Sequence, residues 1–201
     1  QNFILDCAEG LDSNCSSRLY RSVARGTTGE GLVLSDLSIL ESTIEILAEE
    51  QGADCDPVVI EGASVIGSVV VELHDLEHPR LSDLQITLVH QSASGTRVTN
   101  LLLFGCEGSG YLAGGSTTYT FKSSGFNSLC EAAQQPGAIP EGDYLPVEGS
   151  FGEHIGAGAA GSWTIQIFDG VFGEEGSLGS WDLQFVHRPP DFDDNGKPDV
   201  C

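Results

Sequence analysis

The sequence predicts an all-β protein, an antiparallel β-sandwich flanked by an N-terminal extension and an acidic C-terminal tail. Three observations carry that expectation. Between Pro57 and His187 the chain passes through short β-branched or aromatic runs separated by Gly-, Ser- and Pro-rich turns. Several runs alternate with period two, as in Val69–Val71–Leu73, Leu84–Ile86–Leu88, Trp163–Ile165–Ile167 and Trp181–Leu183–Phe185. No helical periodicity intervenes between them, so facing sheets must bury those stripes against one another.

In chain order, residues 1–56 form the extension. Within it, Leu37, Leu40, Ile44 and Leu47 fall at helical spacing, Ser38 and Glu41 stand in capping-box relation, and Gly52 follows. This spacing predicts a short helix over 36–51, with a strand through Ser42–Leu47, β-branched at Thr43, Ile44 and Ile46, as the alternative. Residues 57–187 supply the sandwich, with strands expected at Val58–Glu61, Ser68–Leu73, Leu84–Val89, Val98–Phe104, Thr117–Phe121, Trp163–Phe168 and Trp181–Val186. Residues 188–201 form the acidic tail, opening with Arg188 and the Pro189-Pro190 spacer.

Composition narrows the function classes. The 201 residues hold 30 Asp and Glu against 8 Lys and Arg, a net charge of −22. Nucleic acid is excluded as a partner, because a phosphate backbone needs a basic stripe. An anionic membrane surface would repel the chain, and no apolar run approaches the ~20 residues of a membrane span. Gln1 as first residue and the lack of any Met predict a chain trimmed after synthesis. The six cysteines (Cys7, Cys15, Cys55, Cys106, Cys130, Cys201) lack zinc-site spacing and read as disulfides of a secreted or cell-surface protein. Among 15 connectivities, the pairing Cys7–Cys15, Cys106–Cys130 and Cys55–Cys201 is one candidate. Asn14-Cys15-Ser16 is a formal glycosylation sequon.

Three ordered blocks carry a family resemblance. Ser68–Leu88 contains a strand, Asp75-Leu-Glu-His78, four residues, then Asp83-Leu84 and a second strand, with Ser94-Gly95-Thr96 following. Gly142-Asp-Tyr-Leu-Pro146 is the second block. The third runs from Ala160-Gly-Ser-Trp-Thr-Ile165 through Phe168-Asp169 to Gly176-Ser-Leu-Gly-Ser-Trp-Asp-Leu183. Together they resemble the P domain (P/Homo B domain) that follows the catalytic domain of kexin- and furin-like subtilisin proteases. The resemblance spans roughly 130 residues and implies a jelly-roll-like sandwich with an accessory, stabilising role. It departs from the family pattern at Ser82, where a glycine is usual, and at Lys122-Ser-Ser, where an acidic cluster is usual.

The chain carries no subtilisin signature around an Asp, His or Ser, and no G-x-S-x-G elbow, so a non-catalytic role is expected. His74-Asp-Leu-Glu-His78 superficially matches the helical H-E-x-x-H zinc motif. Asp75 replaces the Glu, however, Pro79 follows at once, and the segment continues a strand. Calcium is the candidate cofactor. By resemblance, Asp75, Asp83 and Asp169 sit at loop ends where carboxylates gather. In the tail, Asp191, Asp193, Asn195, Gly196 and Asp199 match the opening positions of an EF-hand-type loop whose twelfth residue falls beyond Cys201.

The leading expectation is a structural subunit of an extracellular assembly. In it the N-terminal segment, or Gly31–Leu47, is donated head-to-tail to the next copy. The alternatives are an accessory domain whose partner is a secreted subtilisin-like protease, and a carbohydrate- or protein-binding module.

Overall fold

In the first main sheet of the computed structural model, β2 (Ser38–Ile46), β12 (Gly161–Asp169), β5 (Leu84–Ser92) and β6 (Gly95–Leu102) lie side by side, all antiparallel. The second orders β14 (Ser180–Arg188), β3 (Val65–His74), β8 (Thr118–Lys122), β11 (Gly142–Leu145) and β9 (Asn127–Ser128). It is antiparallel as far as β8, and β11 then runs parallel to both β8 and β9. The residues described are 32–46, 65–147 and 150–188. A smaller sheet joins β1 (Leu32–Leu34), β13 (Gly176–Leu178), β4 (Glu77–His78), β7 (Gly110–Ala113) and β10 (Gly137–Ala138). Since β3 leads into β4 and β13 leads into β14, this sheet lies at the end of the sandwich where those strands meet.

The period-two stripes do what their spacing requires. Val69, Val71, Leu73, Trp181, Leu183, Phe185, Tyr119 and Phe121 point inward from one sheet; Leu84, Ile86, Leu88, Trp163, Ile165 and Ile167 point inward from the other. Trp163 and Phe185 meet across the layers with ring centroids 4.9 Å apart. Burying one such side chain contributes roughly 1.5–3 kcal/mol relative to leaving it in water. The expected all-β sandwich is therefore present. The strand expected at Val58–Glu61 lies outside the described residues.

The helix expected over 36–51 is not formed at residues 36–46, where the strand alternative holds, and residues 47–51 lie outside the described residues. Residues 38–46 are strand β2, paired with β12 from Ser38 opposite Asp169 to Ile46 opposite Gly161. Leu40, Ile44 and Ile46 alternate inward while Ile39, Glu41, Thr43 and Glu45 face out. The competing periodicity wins because β12 offers a free edge, and β-branched Ile39, Thr43, Ile44 and Ile46 suit a pleated surface. Ser38 Oγ donates to the Ser35 carbonyl instead of capping a helix.

Of the two candidates for donation, Gly31–Leu47 is paired within its own chain over residues 32–46, β1 on β13 and β2 on β12, and the N-terminal segment lies outside the described residues. The latter half of the expected extension contributes two strands to the fold.

Only one α-helix appears among the described residues, and it was not expected: α1 (Leu129–Ala133). Its signals are local. Glu131 N–H donates to Ser128 Oγ (3.2 Å) and Ser128 N–H to the Glu131 carboxylate (2.7 Å), a complete capping box. The Cys106–Cys130 disulfide, one of the candidate pairings, fastens this helix to the loop after β6. The other four cysteines lie outside the described residues. At Gly161 the backbone adopts φ +129°, and a Cβ there would stand 2.2 Å from the Gln91 carbonyl oxygen, so β12 can enter beside β5 only as glycine.

Among the described residues three histidines are fully buried, and two of them, His90 and His154, pack around Trp163. His90 stacks on Trp163 at 3.8 Å, and its Nε2 lies 3.2 Å from the Ala160 carbonyl oxygen. His154 Nε2 lies 3.0 Å from Thr99 Oγ1. Burial pushes the His154 ring down to about 4, and the nearby His90 and Arg97 charges push the same way. His90 is lowered too, again chiefly by burial. Below pH 6.5 the unfolded chain takes up a proton at residue 154 that the folded chain refuses. Stability conferred by neutral His154 is therefore complete above pH 6.5 and falls as pH drops toward 4. The loss is on the order of 3 kcal/mol at 1.36 kcal/mol per pH unit. Urea midpoints measured from pH 7.5 to 4.5 should fall more steeply for the native chain than for His154→Gln; parallel curves would contradict the assignment.

Candidate functional site

The three carboxylates expected to gather around calcium occupy separate structural posts. Asp75 follows β3 with φ +54°, and its carboxylate accepts the Ser116 N–H, tying together two loops that both turn through the left-handed region. Asp169 ends β12, fully buried. One carboxylate oxygen lies 3.2 Å from His78 Nε2, and the other accepts the Val171 N–H at 3.2 Å. His78, also fully buried, has its Nδ1 2.8 Å from the Arg80 carbonyl oxygen. Asp83 sits beside this pair: its carbonyl accepts the Gly170 N–H at 2.8 Å, and its Oδ1 accepts the Ser82 hydroxyl. Its buried Oδ2 finds no hydrogen-bond partner.

This arrangement explains the first resemblance block physically. Asp-Leu-x-His places Leu76 and His78 in the core, and Asp83-Leu84 opens the strand whose register brings Leu84 opposite Asp169. The motif residues fix the loops at one end of the sandwich. Asp169 is committed to His78 and a backbone N–H, and Asp75 to Ser116. Asp83 Oδ2 is the one buried oxygen of the three carboxylates without a hydrogen-bond partner. Asp191, Asp193, Asn195 and Asp199 of the tail lie outside the described residues.

Among the described residues, a single group of three or more metal-capable side chains has all its ligand atoms within 4.8 Å of one another: Glu72, His74 and Asp182. None was expected as a ligand. Glu72 and His74 are two apart on β3 and so share its outward face, and Asp182 stands directly opposite Glu72 on β14. The sequence signal was Glu-x-His within a strand, legible only once the neighbouring strand's register is known. His78 takes no part, so the two histidines of the H-E-x-x-H-like segment serve different places.

The other outward feature is apolar. On the outer face of the β2–β12–β5–β6 sheet, Ile39 (59% exposed) lies opposite Phe168, whose ring is 6.4 Å from that of Phe104 (48% exposed). Leu37 (63%) projects from the turn before β2. Phe172 (80%) projects from the following loop, which is pinned to that turn by the Gly173 N–H donating to the Asp36 carboxylate at 2.9 Å. Side chains of this size gather here into an exposed apolar patch on one end of one face.

No protein-family model and no curated protein sequence matches this chain. Among solved structures it is similar to the serine protease of Aeromonas sobria, at 19% identity and a TM-score of 0.44. The same protease in complex with its chaperone ORF2 gives 18% and 0.44. Each alignment covers 84% of this chain and 26% of the other, so the chain spans about a quarter of the solved chains it matches. No helix among the described residues is long and apolar enough to cross a membrane.

If Asp169 is a structural partner of His78, Asp169→Asn should destabilise the fold by about 1–3 kcal/mol, the cost of disturbing a buried hydrogen bond. Urea unfolding should report the same loss in calcium and in EGTA. A loss confined to calcium-containing buffer would make Asp169 a calcium ligand instead.

Proposed function

We propose that this chain is a non-catalytic, secreted β-sandwich that works by docking a protein partner, and that the partner is the catalytic domain of a subtilisin-like serine protease. The observation that carries the docking is the apolar end-face of Leu37, Ile39, Phe104 and Phe172, all exposed, with half-buried Phe168 among them. An accessory domain needs such a face, because apolar area removed from water is the main source of association free energy.

The choice of partner rests on the three sequence blocks that resemble the P domain, all of which fall within the sandwich. The lack of any nucleophile–base signature supports a role apart from the chemistry itself. Docking of a protease domain is favoured over head-to-tail assembly because the strand best suited for donation is already paired within its own chain. Calcium stands as the proposed cofactor of the acidic tail, and Asp83 Oδ2 is its proposed foothold on the sandwich.

A photoreactive phenylalanine analogue at position 172, irradiated in the native secretion, tests the assignment. Mass spectrometry should identify cross-linked peptides from a subtilisin-like catalytic domain, and the purified chain alone should leave casein intact. Cross-links only between copies of this chain would contradict it and support an assembly subunit.

A further inference from the structure

We propose that Glu72, His74 and Asp182 form a binding site for a borderline divalent cation of the zinc class, on the outer face of the β14–β3–β8 sheet. His74 Nε2 lies 3.3 Å from Asp182 Oδ2 and 3.9 Å from Glu72 Oε2, and all three ligand atoms fall within 4.8 Å of one another. An ion held at about 2.0–2.2 Å from each donor in tetrahedral geometry needs donors about 3.4 Å apart; the His74–Asp182 spacing matches this, and the His74–Glu72 spacing is slightly longer.

The donor set is one imidazole and two carboxylates. Imidazole suits zinc and its neighbours, whereas calcium and magnesium take oxygen shells. Two carboxylates and a neutral imidazole carry a charge of −2, matched to a divalent ion.

A second observation concerns the other ring nitrogen. His74 Nδ1 lies 3.0 Å from Thr118 Oγ1 on β8, which fixes the ring with Nε2 turned toward the two acids. An outer partner on the far nitrogen is how a ligating histidine is oriented and its tautomer set. The three ligands sit on regular strands in antiparallel register, Asp182 opposite Glu72 and Thr118 opposite His74, so their geometry is held by the ladder.

Asp182 is buried, while the His74 and Glu72 side chains keep 26% and 21% of their surface exposed. An ion therefore has both an anchored side and an entry side, with its remaining positions left to water. Lys122, the neighbouring cation on β8, pairs with Asp143 at 2.6 Å. Binding would clasp the edge strand β14 to β3.

Calorimetric titration of the full chain with zinc chloride in calcium-containing buffer tests the site. One equivalent should bind to the native chain and raise its thermal midpoint. His74→Gln and Asp182→Asn should each weaken that binding at least tenfold and abolish the thermal shift, while Asp143→Asn on the same sheet keeps both. Glu72→Gln, on the exposed rim, tests the site without touching the buried anchor and should also weaken binding. Absence of binding to the native chain would overturn the proposal. So would equal affinity in native, His74→Gln and Glu72→Gln chains whose far-ultraviolet circular dichroism matches.

Discussion

The fold depends on two tryptophans that bridge its layers. Trp163, from β12, is fully buried, stacks on His90 within its own sheet and reaches Phe185 of the opposite one. Trp181, from β14, is equally buried, and its indole N–H donates to Ser42 Oγ on β2 at 3.1 Å. Each indole thereby fixes the separation and lateral offset of the sheets while satisfying its one polar group; Trp163 N–H donates to the Ala159 carbonyl. The two strands carrying these residues are joined by the loop 170–175 and β13. That loop also presents Phe172 and receives Asp36. Core packing and the apolar end-face are therefore two consequences of one hairpin-like return.

Buried polar residues set the loop geometry. The His78–Asp169 pair ties β4 to the end of β12, and Asp83 hydrogen-bonds the next residue, Gly170. A buried pair of this kind is weak evidence for net stability but strongly penalises any arrangement that separates its members. It pins the loop end from which Phe104 and Phe172 project. Polar side chains are in this way turned inward at one end of the sandwich, while the Glu72, His74 and Asp182 group faces outward on the opposite sheet.

What the sequence made legible follows from the periodicity of strands. Stripes such as Trp181–Leu183–Phe185 need only a pleated backbone to face one way, so the central strands could be placed without tertiary knowledge. Ser38-x-x-Glu41 and Ser128-x-x-Glu131 show where that ends. Both are capping-box sequences, yet only the second caps a helix, because the first lies beside an open edge of β12 whose pairing outweighs a few local bonds. The carboxylates were found but not their roles. Asp169 has a histidine partner 91 residues away, and the Glu72–His74–Asp182 group needs the β3–β14 register, which no local pattern encodes.

The weightiest consequence of this register is that residues 38–46 complete the sandwich of their own chain. Hydrogen–deuterium exchange of the dilute monomer reads it directly. The β2 amides that bond to β12 should be protected to the same order as those of β5, on the other side of β12. Rapid exchange of residues 38–46 in the monomer, with protection gained only as copies associate, would contradict an intramolecular strand and restore segment donation between chains.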